Sequence, residues 1–375
     1  MSKIMNLTSK LYQNIVLDKI QNTEWDKGNN GPLVVELDPT SVCDLACPGC
    51  INEDVVNKTN SFSNERLLEI GAEFIQNGIK AVILIGGGEP LAHPKIGEFI
   101  NLMGENDVHI GITTNGSFIN KYLDEIAEYS KWTRVSVDAA TEEKFVKVRP
   151  TKGNRSKFNI IINNMRILSK TKKGKLGFSY LIQTEADGVG TSNVDEIYDA
   201  AVLAKDIGCD YFEVKPSYQW REGADHALMK HDEIEMNKAR KQIESLDNLE
   251  EDDFKILKAI NLAHSLGGVQ KKQVKKYKTC PSAHLRTLVT PSGVYMCPYW
   301  RGKDHMRIGD VNRLNFSKMW NSILRKQKMD KLDVSVDCDS IHCLRNDTNL
   351  SAFNIKKKLS DGITISKYEE FDRFI

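Results

Sequence analysis

Three of the eight cysteines of this 375-residue chain lie within eight residues, in the segment CDLACPGC that runs from Cys43 through Cys47 to Cys50. Three and then two residues separate the thiols. A structural zinc site is usually closed by four ligands, often from paired C-x-x-C units. Three thiolates leave one coordination position open, so the spacing indicates a metal centre at which a further ligand binds.

Four more cysteines cluster toward the other end of the chain, at Cys280, Cys297, Cys338 and Cys343. The amino terminus lacks the apolar core of a signal peptide, and the strongest apolar run, residues 81–85, is far too short to span a bilayer. We therefore expect a soluble cytoplasmic protein with no membrane partner. Thiols stay reduced in the cytosol, so clustered cysteines there bind metal more often than they form disulfides. The remaining cysteine, Cys209, stands alone, and we expect it to be a small buried residue.

The charge balance argues against a nucleic-acid partner. Lysine and arginine number 52 against 51 acidic residues. Short basic runs occur at 170–175, 271–276 and 356–358, where loops or helix ends are predicted, and a solvated face is their ordinary environment.

Short β-branched runs alternate with longer amphipathic stretches from residue 33 to about 215. Glycine closes two of these helical stretches, at Gly78 and Gly208, as is usual just past a helix end. Six strand–helix repeats imply a parallel sheet with right-handed crossovers, but they are too few for a closed eight-stranded barrel. We predict an α/β fold with an open, partial (β/α)6 TIM-like barrel. Its strands are predicted at 33–37, 81–85, 109–113, 133–137, 177–183 and 211–215.

Alternation within these strands predicts a polar barrel interior. Val135 and Val137 share one face of the fourth strand, while Arg134 lies on the other. Closed barrels usually fill their interior with branched aliphatic side chains, so polar residues there indicate a polar ligand. A register error of one residue would reverse every assignment. The residues predicted inside are Glu36, His109, Arg134, Ser136, Asp138, Glu213 and Lys215.

Each unusual short motif follows a predicted strand. CDLACPGC follows the first, GGGEP (86–90) the second and TTNG (113–116) the third, while SVD (136–138) ends the fourth. Parallel α/β barrels place their active sites at the carboxyl ends of the strands. The four motifs are therefore predicted to meet on one rim.

The cysteine spacing together with Gly-Gly-Glu-Pro resembles the radical S-adenosylmethionine (SAM) superfamily. The resemblance implies that three thiolates hold three irons of a [4Fe–4S] cluster, while the amino and carboxylate groups of SAM bind the fourth iron. A low-potential cluster can drive difficult one-electron reductions. The implied reaction is reductive cleavage of SAM to a 5′-deoxyadenosyl radical, which abstracts a hydrogen atom from the substrate. A one-electron donor such as flavodoxin or ferredoxin is an implied partner.

The same resemblance implies a set of SAM-binding residues. Gly87, Gly88 and Glu89 would bind the methionine amino group, and Arg149 would reach its carboxylate. The residue before the third cysteine is commonly aromatic in this superfamily, but here it is Gly49, and Ile51 is the candidate to replace that contact. The remaining implied SAM contacts are Asn115, Ser136 and Asp138 near the methionine and ribose, and Ser179, Leu181 and Gln183 at the adenine.

The late cysteine region resembles the SPASM extension of this superfamily, or its shortened form, the twitch domain. Cys280, PSGVYMC ending at Cys297, RIGDV (307–311) and Cys338-x4-Cys343 occur in the matching order. Four cysteines suffice for one fully ligated auxiliary [4Fe–4S] cluster, so the twitch form is favoured. A four-cysteine zinc site remains the alternative. The predicted domains are a lead segment (1–30), a radical SAM barrel (31–220), a helical bridge (221–278), the auxiliary domain (279–345) and a tail (346–375).

The predicted substrate is a small polar metabolite, such as a sugar or aminocyclitol, that undergoes net oxidation. Lys215 and Glu213 are the candidate catalytic residues, either binding substrate hydroxyls or moving protons; a salt bridge inside the barrel is the structural alternative. Only about thirty residues precede the first strand, so no leader-binding domain of the kind found in peptide-modifying enzymes is expected. Epimerisation, dehydration or peptide modification by the same chemistry, tRNA modification, and a non-catalytic iron–sulfur or zinc scaffold remain as alternatives.

Overall fold

The computed structural model describes residues 7–25, 31–58, 60–153, 155–185, 190–220, 226–228, 232–259, 261–266, 273–370 and 372–375. Within these ranges no helix combines the length and apolar character needed to cross a bilayer.

In the described part of the chain, ten strands form one open sheet, and two more form a separate antiparallel pair. The strands are β1 (Val34–Leu37), β2 (Ala81–Leu84), β3 (His109–Thr114), β4 (Ser130–Ser136), β5 (Lys175–Ile182), β6 (Tyr211–Pro216), β7 (Tyr218–Trp220), β8 (His226–Leu228), β9 (Lys255–Lys258), β10 (Arg286–Thr290), β11 (Gly293–Tyr295) and β12 (Arg307–Gly309). The large sheet has the order β12-β11-β10-β1-β2-β3-β4-β5-β6-β9, and β7 pairs with β8.

The six predicted strands are confirmed as β1 to β6, which lie side by side in chain order and are parallel throughout. This arrangement confirms the α/β class and the open, barrel-like sheet. Two further parallel strands extend it: β9 pairs with β6, and β10 pairs with β1. β9 lies in the segment predicted to be a helical bridge. It was not predicted because a four-residue strand in a charged stretch gives no clear period-2 pattern.

Helices cover the outer face of the sheet, where Val35, Val82 and Leu84 pack with Leu67 and Phe74 in the main core. The helices are α1 (Asn14–Asn22), α2 (Asn64–Gln76), α3 (Ile96–Glu105), α4 (Leu123–Tyr129), α5 (Glu142–Val148), α6 (Phe158–Thr171), α7 (Ile197–Ile207), α8 (Glu233–Ser245), α9 (Leu262–Leu266), α10 (Pro281–Leu285), α11 (Phe316–Trp320), α12 (Ile323–Lys331), α13 (Val334–Asp337) and α14 (Asn346–Ser360). As predicted, α7 ends at Gly208, whose φ of +88° suits glycine.

The inner face of the sheet is apolar near the amino ends of β1 and β2. Val34 and Ala81 belong to a second core, which also contains Ile20 from α1, Ile355 from α14 and Phe374 from the end of the chain. The interior is therefore filled at the amino edge by both ends of the described chain.

The carboxyl-terminal tail is fixed in this second core by polar contacts as well. The Phe374 ring lies 5.3 Å from the ring of Trp132 and 6.2 Å from that of His109. Arg286 donates to the carbonyl oxygen of Ile375 and forms an ion pair with Glu36. Glu36 and His109 were predicted to line the polar barrel interior; Glu36 forms an ion pair with Arg286, and His109 lies beside the Phe374 ring.

Candidate active site at the carboxyl edge of the sheet

The early cysteines lie in the connection between β1 and α2. Asn57, in the left-handed region with φ of +55°, exchanges hydrogen bonds with the backbone N–H and C=O of Cys43. The backbone N–H of Ala46 donates to the carbonyl oxygen of Pro150 at 2.7 Å, and Leu45 forms a bridge with Thr151. Residues 41–50, here called the thiol loop, are thus held against the segment that follows α5.

Two of the predicted SAM contacts lie directly beside the thiols. The Asn115 side-chain amide donates to Asp44 at 2.8 Å and lies 3.9 Å from the Cys43 sulfur. The Arg149 guanidinium lies 3.8 Å from the Cys47 sulfur and forms an ion pair with Asp138 at 2.6 Å. The motifs after β1, β3 and β4 therefore meet at the rim where the sequence placed them.

The thiol loop suits a group that carries positive charge. Burial raises the pKa of Cys43 to about 12 and that of Cys47 to about 11, while Arg149 opposes the rise at Cys47. The cysteines also raise one another's pKa, since each thiolate repels the next. Three thiols from one half-buried loop are the donor type of iron–sulfur clusters, and metal binding would favour their deprotonated form. The residues present fit a [4Fe–4S] cluster.

Glu89 is buried, and its carboxylate forms hydrogen bonds with residues that follow β2 and end β3. It accepts hydrogen bonds from the Thr114 hydroxyl at 2.6 Å and from the backbone N–H groups of Asn115 and Leu91, at 2.7 Å and 3.0 Å. Burial raises the pKa of this carboxyl to about 7. Its contact with a methionine amino group stays a prediction; the structure adds a role in joining the ends of β2 and β3.

The glycines before Glu89 permit a close approach of two backbones. A Cβ at Gly88 would clash with the backbone of Ser41 and Val42 in the thiol loop. The N–H of Glu89 donates to the carbonyl oxygen of Val42 at 2.8 Å. The implied binding of a methionine amino group by Gly87 and Gly88 stays a prediction, and the structure shows that Gly88 also permits close contact with the thiol loop.

Asn193 organises the ends of β4 and β5 and was missed from the sequence. Its side-chain amide donates to the carbonyl oxygens of Asp138 and Leu181, both at 2.9 Å, and its oxygen accepts from the N–H of Gln183 at 2.8 Å. The side-chain oxygen of Gln183 is buried and has no hydrogen-bond partner among the described residues. Ser136 lies next to Ser179 in the strand register. A polar ligand group could bond to Gln183 here.

The predicted polar interior contains a three-membered ion cluster. Arg134 approaches the Glu213 carboxylate at 3.1 Å and Lys215 approaches it at 3.5 Å. Arg134 also donates to the Thr113 hydroxyl at 3.2 Å. Burial alone would raise the pKa of Glu213, but Arg134 and Lys215 outweigh it, so this pKa lies below its ordinary value. The salt-bridge alternative for Glu213 and Lys215 is therefore observed, with an ionised carboxylate between two cations.

The four late cysteines come together from distant positions in the chain. Cys280 precedes α10, Cys297 follows β11, and Cys338 and Cys343 flank the turn after α13. Burial, together with the charges of Cys343 and Cys338, raises the pKa of Cys280 to about 12. Burial and the charges of the other three late cysteines raise the pKa of Cys297 as well. Across the described residues, no three His, Cys, Asp or Glu side chains are arranged to hold a single metal ion.

Arg301 joins the late cysteine region to the early one and was missed from the sequence. Its guanidinium lies 2.5 Å and 3.1 Å from the two carboxylate oxygens of Asp38 and donates to the side-chain oxygen of Asn52 at 3.0 Å. A pocket of about 170 Å³ lies at this junction and is lined from both sides. Asp38 directly follows β1, so the rim pattern could have indicated it; no sequence signal marks Arg301.

Residues 37–188 match the family model described as the Radical SAM superfamily. The chain therefore contains a radical SAM domain, as the cysteine spacing and the Gly-Gly-Glu-Pro segment predicted. The match runs from the last residue of β1 through β5 and includes the three early cysteines, Glu89, Asn115, Asp138 and Arg149.

Curated relatives divide into two kinds. A GTP 3′,8-cyclase from Synechocystis sp. is 28% identical over 170 residues, covering 44% of this chain and 48% of that protein. A probable GTP 3′,8-cyclase from Archaeoglobus fulgidus is 34% identical over 107 residues, covering 28% and 36%. The chain thus spans from about a third to half of these cyclases. The mycofactocin maturase MftC of Mycobacterium tuberculosis is 22% identical over 305 residues, covering 80% of this chain and 73% of that one.

Solved structures resemble the fold beyond the radical SAM domain. Streptococcus suis SuiB bound to its precursor peptide SuiA has a TM-score of 0.58 at 14% identity, covering 81% of this chain and 67% of that chain. The protein anSMEcpe with bound AdoMet has a TM-score of 0.55 at 15% identity, covering 88% and 100%. At these identities the likeness shows the fold.

Proposed function

We propose that the protein is a radical SAM oxidoreductase with two iron–sulfur clusters. Cys43, Cys47 and Cys50 hold the cluster that binds SAM, and the four late cysteines hold an auxiliary [4Fe–4S] cluster. The substrate is a small polar molecule, and flavodoxin or ferredoxin supplies the reducing electron. The observation that carries this proposal is the presence of two separate half-buried thiol sets, one on the strand-end rim and one in the carboxyl-terminal region.

The resident groups would supply a 5′-deoxyadenosyl radical at the first set and a one-electron acceptor at the second. For a substrate alcohol, loss of a hydrogen atom, a proton and an electron gives a carbonyl. Glu213 is the base for the hydroxyl proton, because Arg134 and Lys215 keep it ionised. Lys215 donates a hydrogen bond to a substrate hydroxyl. Asn115 and Arg149 orient the thiol loop, and Gln183 contributes a buried acceptor to the SAM site.

The metal content of a variant with Cys43, Cys47 and Cys50 all changed to alanine tests the proposal. After anaerobic reconstitution, we expect about four irons per chain to remain, and no 5′-deoxyadenosine to form with dithionite and SAM. Cys209→Ala is the matched control, since this buried cysteine belongs to neither set; it should keep about eight irons and the cleavage activity. Zinc or no metal at the late cysteines would refute the oxidation and turn the search toward redox-neutral chemistry.

A second candidate is modification of a peptide. The alignment with the mycofactocin maturase favours it, because that alignment extends over most of both chains whereas the cyclase alignments do not. Assays of 5′-deoxyadenosine release with sugars, aminocyclitols, nucleotides and candidate precursor peptides separate the two. A carbonyl in a small product supports oxidation of a metabolite, solvent deuterium at the reacting carbon supports epimerisation, and release with peptides alone supports the second candidate.

A further inference from the structure

The turn after Cys297 contacts two of the late cysteines. Cys297 is followed by a 3₁₀ turn, Pro298–Trp300, in which the N–H of Trp300 donates to the carbonyl oxygen of Cys297 at 3.1 Å. Trp300 is buried, and its side chain hydrogen-bonds to the Cys338 sulfur. The turn thus begins at one late cysteine, through its backbone, and contacts the thiol of a second, Cys338. The position of Arg301, which comes next in the chain, depends on how those cysteines are arranged.

The other end of the Arg301 side chain reaches the predicted SAM site. Asp38, its bidentate partner, is only 2% exposed and also accepts the backbone N–H of Gly87. Asn52, its second partner, lies two residues beyond Cys50 and donates to the carbonyl oxygen of Gly86 at 2.8 Å. Both partners of Arg301 therefore bond to the glycine segment that precedes Glu89. A buried bidentate pair of this kind fixes geometry as well as energy.

We propose that Arg301 is a positioning residue that couples metal binding at the late cysteines to SAM affinity at the early ones. The inference rests on the proposed function and adds a regulatory link to it. Metal at the late site holds Cys297 and Cys338, which set the turn and hence the guanidinium. The guanidinium holds Asp38 and Asn52, and these hold Gly86 and Gly87 in the position that binds methionine. The link is reciprocal, since a coupling free energy between two sites acts in both directions.

Four full-length proteins test the coupling: wild type, Cys280→Ala/Cys343→Ala, Arg301→Gln, and the triple variant. The two cysteines chosen leave Cys297 and the Trp300–Cys338 contact in place, so that only the late metal is lost. Each protein is reconstituted anaerobically, its iron is counted, and the Kd of SAM is measured by isothermal titration calorimetry. Thermal unfolding confirms that each variant is folded.

We expect loss of the late metal to weaken SAM binding about tenfold, within the usual range of coupling between sites. Arg301→Gln should weaken it by a similar factor, and removing the late metal as well should then add nothing. Two results would overturn the coupling: equal SAM affinity with and without the late metal, or effects of the two changes that multiply. A wild-type protein that binds no SAM contradicts the proposed function itself, and is thereby distinguished from failure of the coupling.

Hydrogen exchange gives a second readout that needs no activity. The Gly87 amide, which bonds to Asp38, should exchange faster in Arg301→Gln and in the variant without late metal, by a similar factor. Arg301→Lys keeps the charge but loses the bidentate geometry, so it should restore only part of the SAM affinity. Lys303→Gln is the matched control, because Lys303 pairs with the exposed Asp54 across the same junction at 3.1 Å. A change in SAM affinity in this control equal to that of Arg301→Gln would contradict the specific role of Arg301.

Discussion

At the carboxyl edge of the parallel sheet, the side chains that follow the strands are polar and bond to one another, whereas at the amino edge the inner face packs against apolar side chains from both ends of the chain. Asn115, Asp138 and Arg149 lie around the thiol loop at the first edge. Val34 and Phe374 meet in a closed core at the second. The candidate active site thus lies at one edge of the sheet, and a packed apolar core that stabilises the fold lies at the other.

The contrast shows that the two edges use buried charge differently. At the amino edge the Glu36–Arg286 pair is closed off, and Arg286 also bonds to the backbone of the tail. At the carboxyl edge Glu213 has two cationic partners, each with about a quarter of its side chain exposed. Substitutions at the first edge should therefore change unfolding, and those at the second should change turnover.

The largest effect is expected for Cys43→Ala. With one of three thiolate ligands removed, formation of 5′-deoxyadenosine should fall below detection, because the proposed cluster loses a ligand. The unfolding midpoint of the metal-free protein should change little, since Cys43 is only half-buried. Chromatography of the nucleoside product and thermal unfolding measure the two quantities. Residual cleavage at a tenth of the wild-type rate would contradict the assignment of Cys43 as a ligand.

Glu213→Gln should reduce kcat by about 10²- to 10⁴-fold, the ordinary contribution of a general base, and leave the Kd of SAM unchanged. The matched control is Glu36→Gln, at the closed edge, which should destabilise the protein without lowering kcat of the folded fraction. Steady-state kinetics on the identified substrate, together with urea unfolding, separate the two variants. Equal loss of kcat in both would mean that Glu213 acts only through the fold.

Phe374→Ala should lower the free energy of unfolding by about 3 kcal/mol, as is usual when a buried phenylalanine is truncated. Its ring is 6% exposed and contacts Trp132. SAM affinity should not change, because the residue belongs to the opposite edge. The control is Tyr368→Ala. Tyr368 is 47% exposed and its ring lies beside that of Tyr12, so this change should lower the free energy of unfolding by less than about 1 kcal/mol. Urea unfolding and calorimetry provide the comparison.

The smallest effect concerns the pH dependence of the amino edge. Burial, aided by Arg373 and Lys131, lowers the pKa of His109 to about 4, while Glu370 and Asp107 act in the opposite direction. The unfolded chain takes up this proton near pH 6.5 and the folded chain does so only near pH 4, so stability falls as the pH drops through that window.

His109→Gln removes this titration. We expect it to reduce the stability lost between pH 7 and pH 5 by about 1 kcal/mol, a value discounted because the imidazole is only partly buried. Urea unfolding at the two pH values measures the difference. An unchanged difference between the two pH values would show that His109 titrates alike in the folded and unfolded chains.

Local patterns predicted the six central strands and the motifs at their carboxyl ends, because strand periodicity and the glycines that end helices can be recognised within a few residues. They also placed Asn115 and Asp138 on the same rim as the thiols through one rule, that parallel strands present their carboxyl ends together; Arg149 was named from the family resemblance alone. The same patterns could not place β9 or β10, whose pairing depends on partners far away in the chain.

The misses at the site have the same cause. Arg301 is one basic residue among many, and only the folded chain brings it to Asp38. Asn193 acts through its amide on the backbone of Asp138 and Leu181, and backbone partners leave no trace in the sequence.

The tail in the amino-edge core has a consequence for synthesis. Lys10 donates to the carbonyl oxygen of Phe374, a contact that spans 364 residues. The inner face of β1 and β2 therefore lacks part of its cover on the ribosome until residues 372–375 have emerged, long after these strands were made. Contacts of such sequence separation slow folding and prolong the exposure of apolar surface. We therefore expect chaperones to bind the unfinished barrel during translation, even though the finished protein buries this apolar surface.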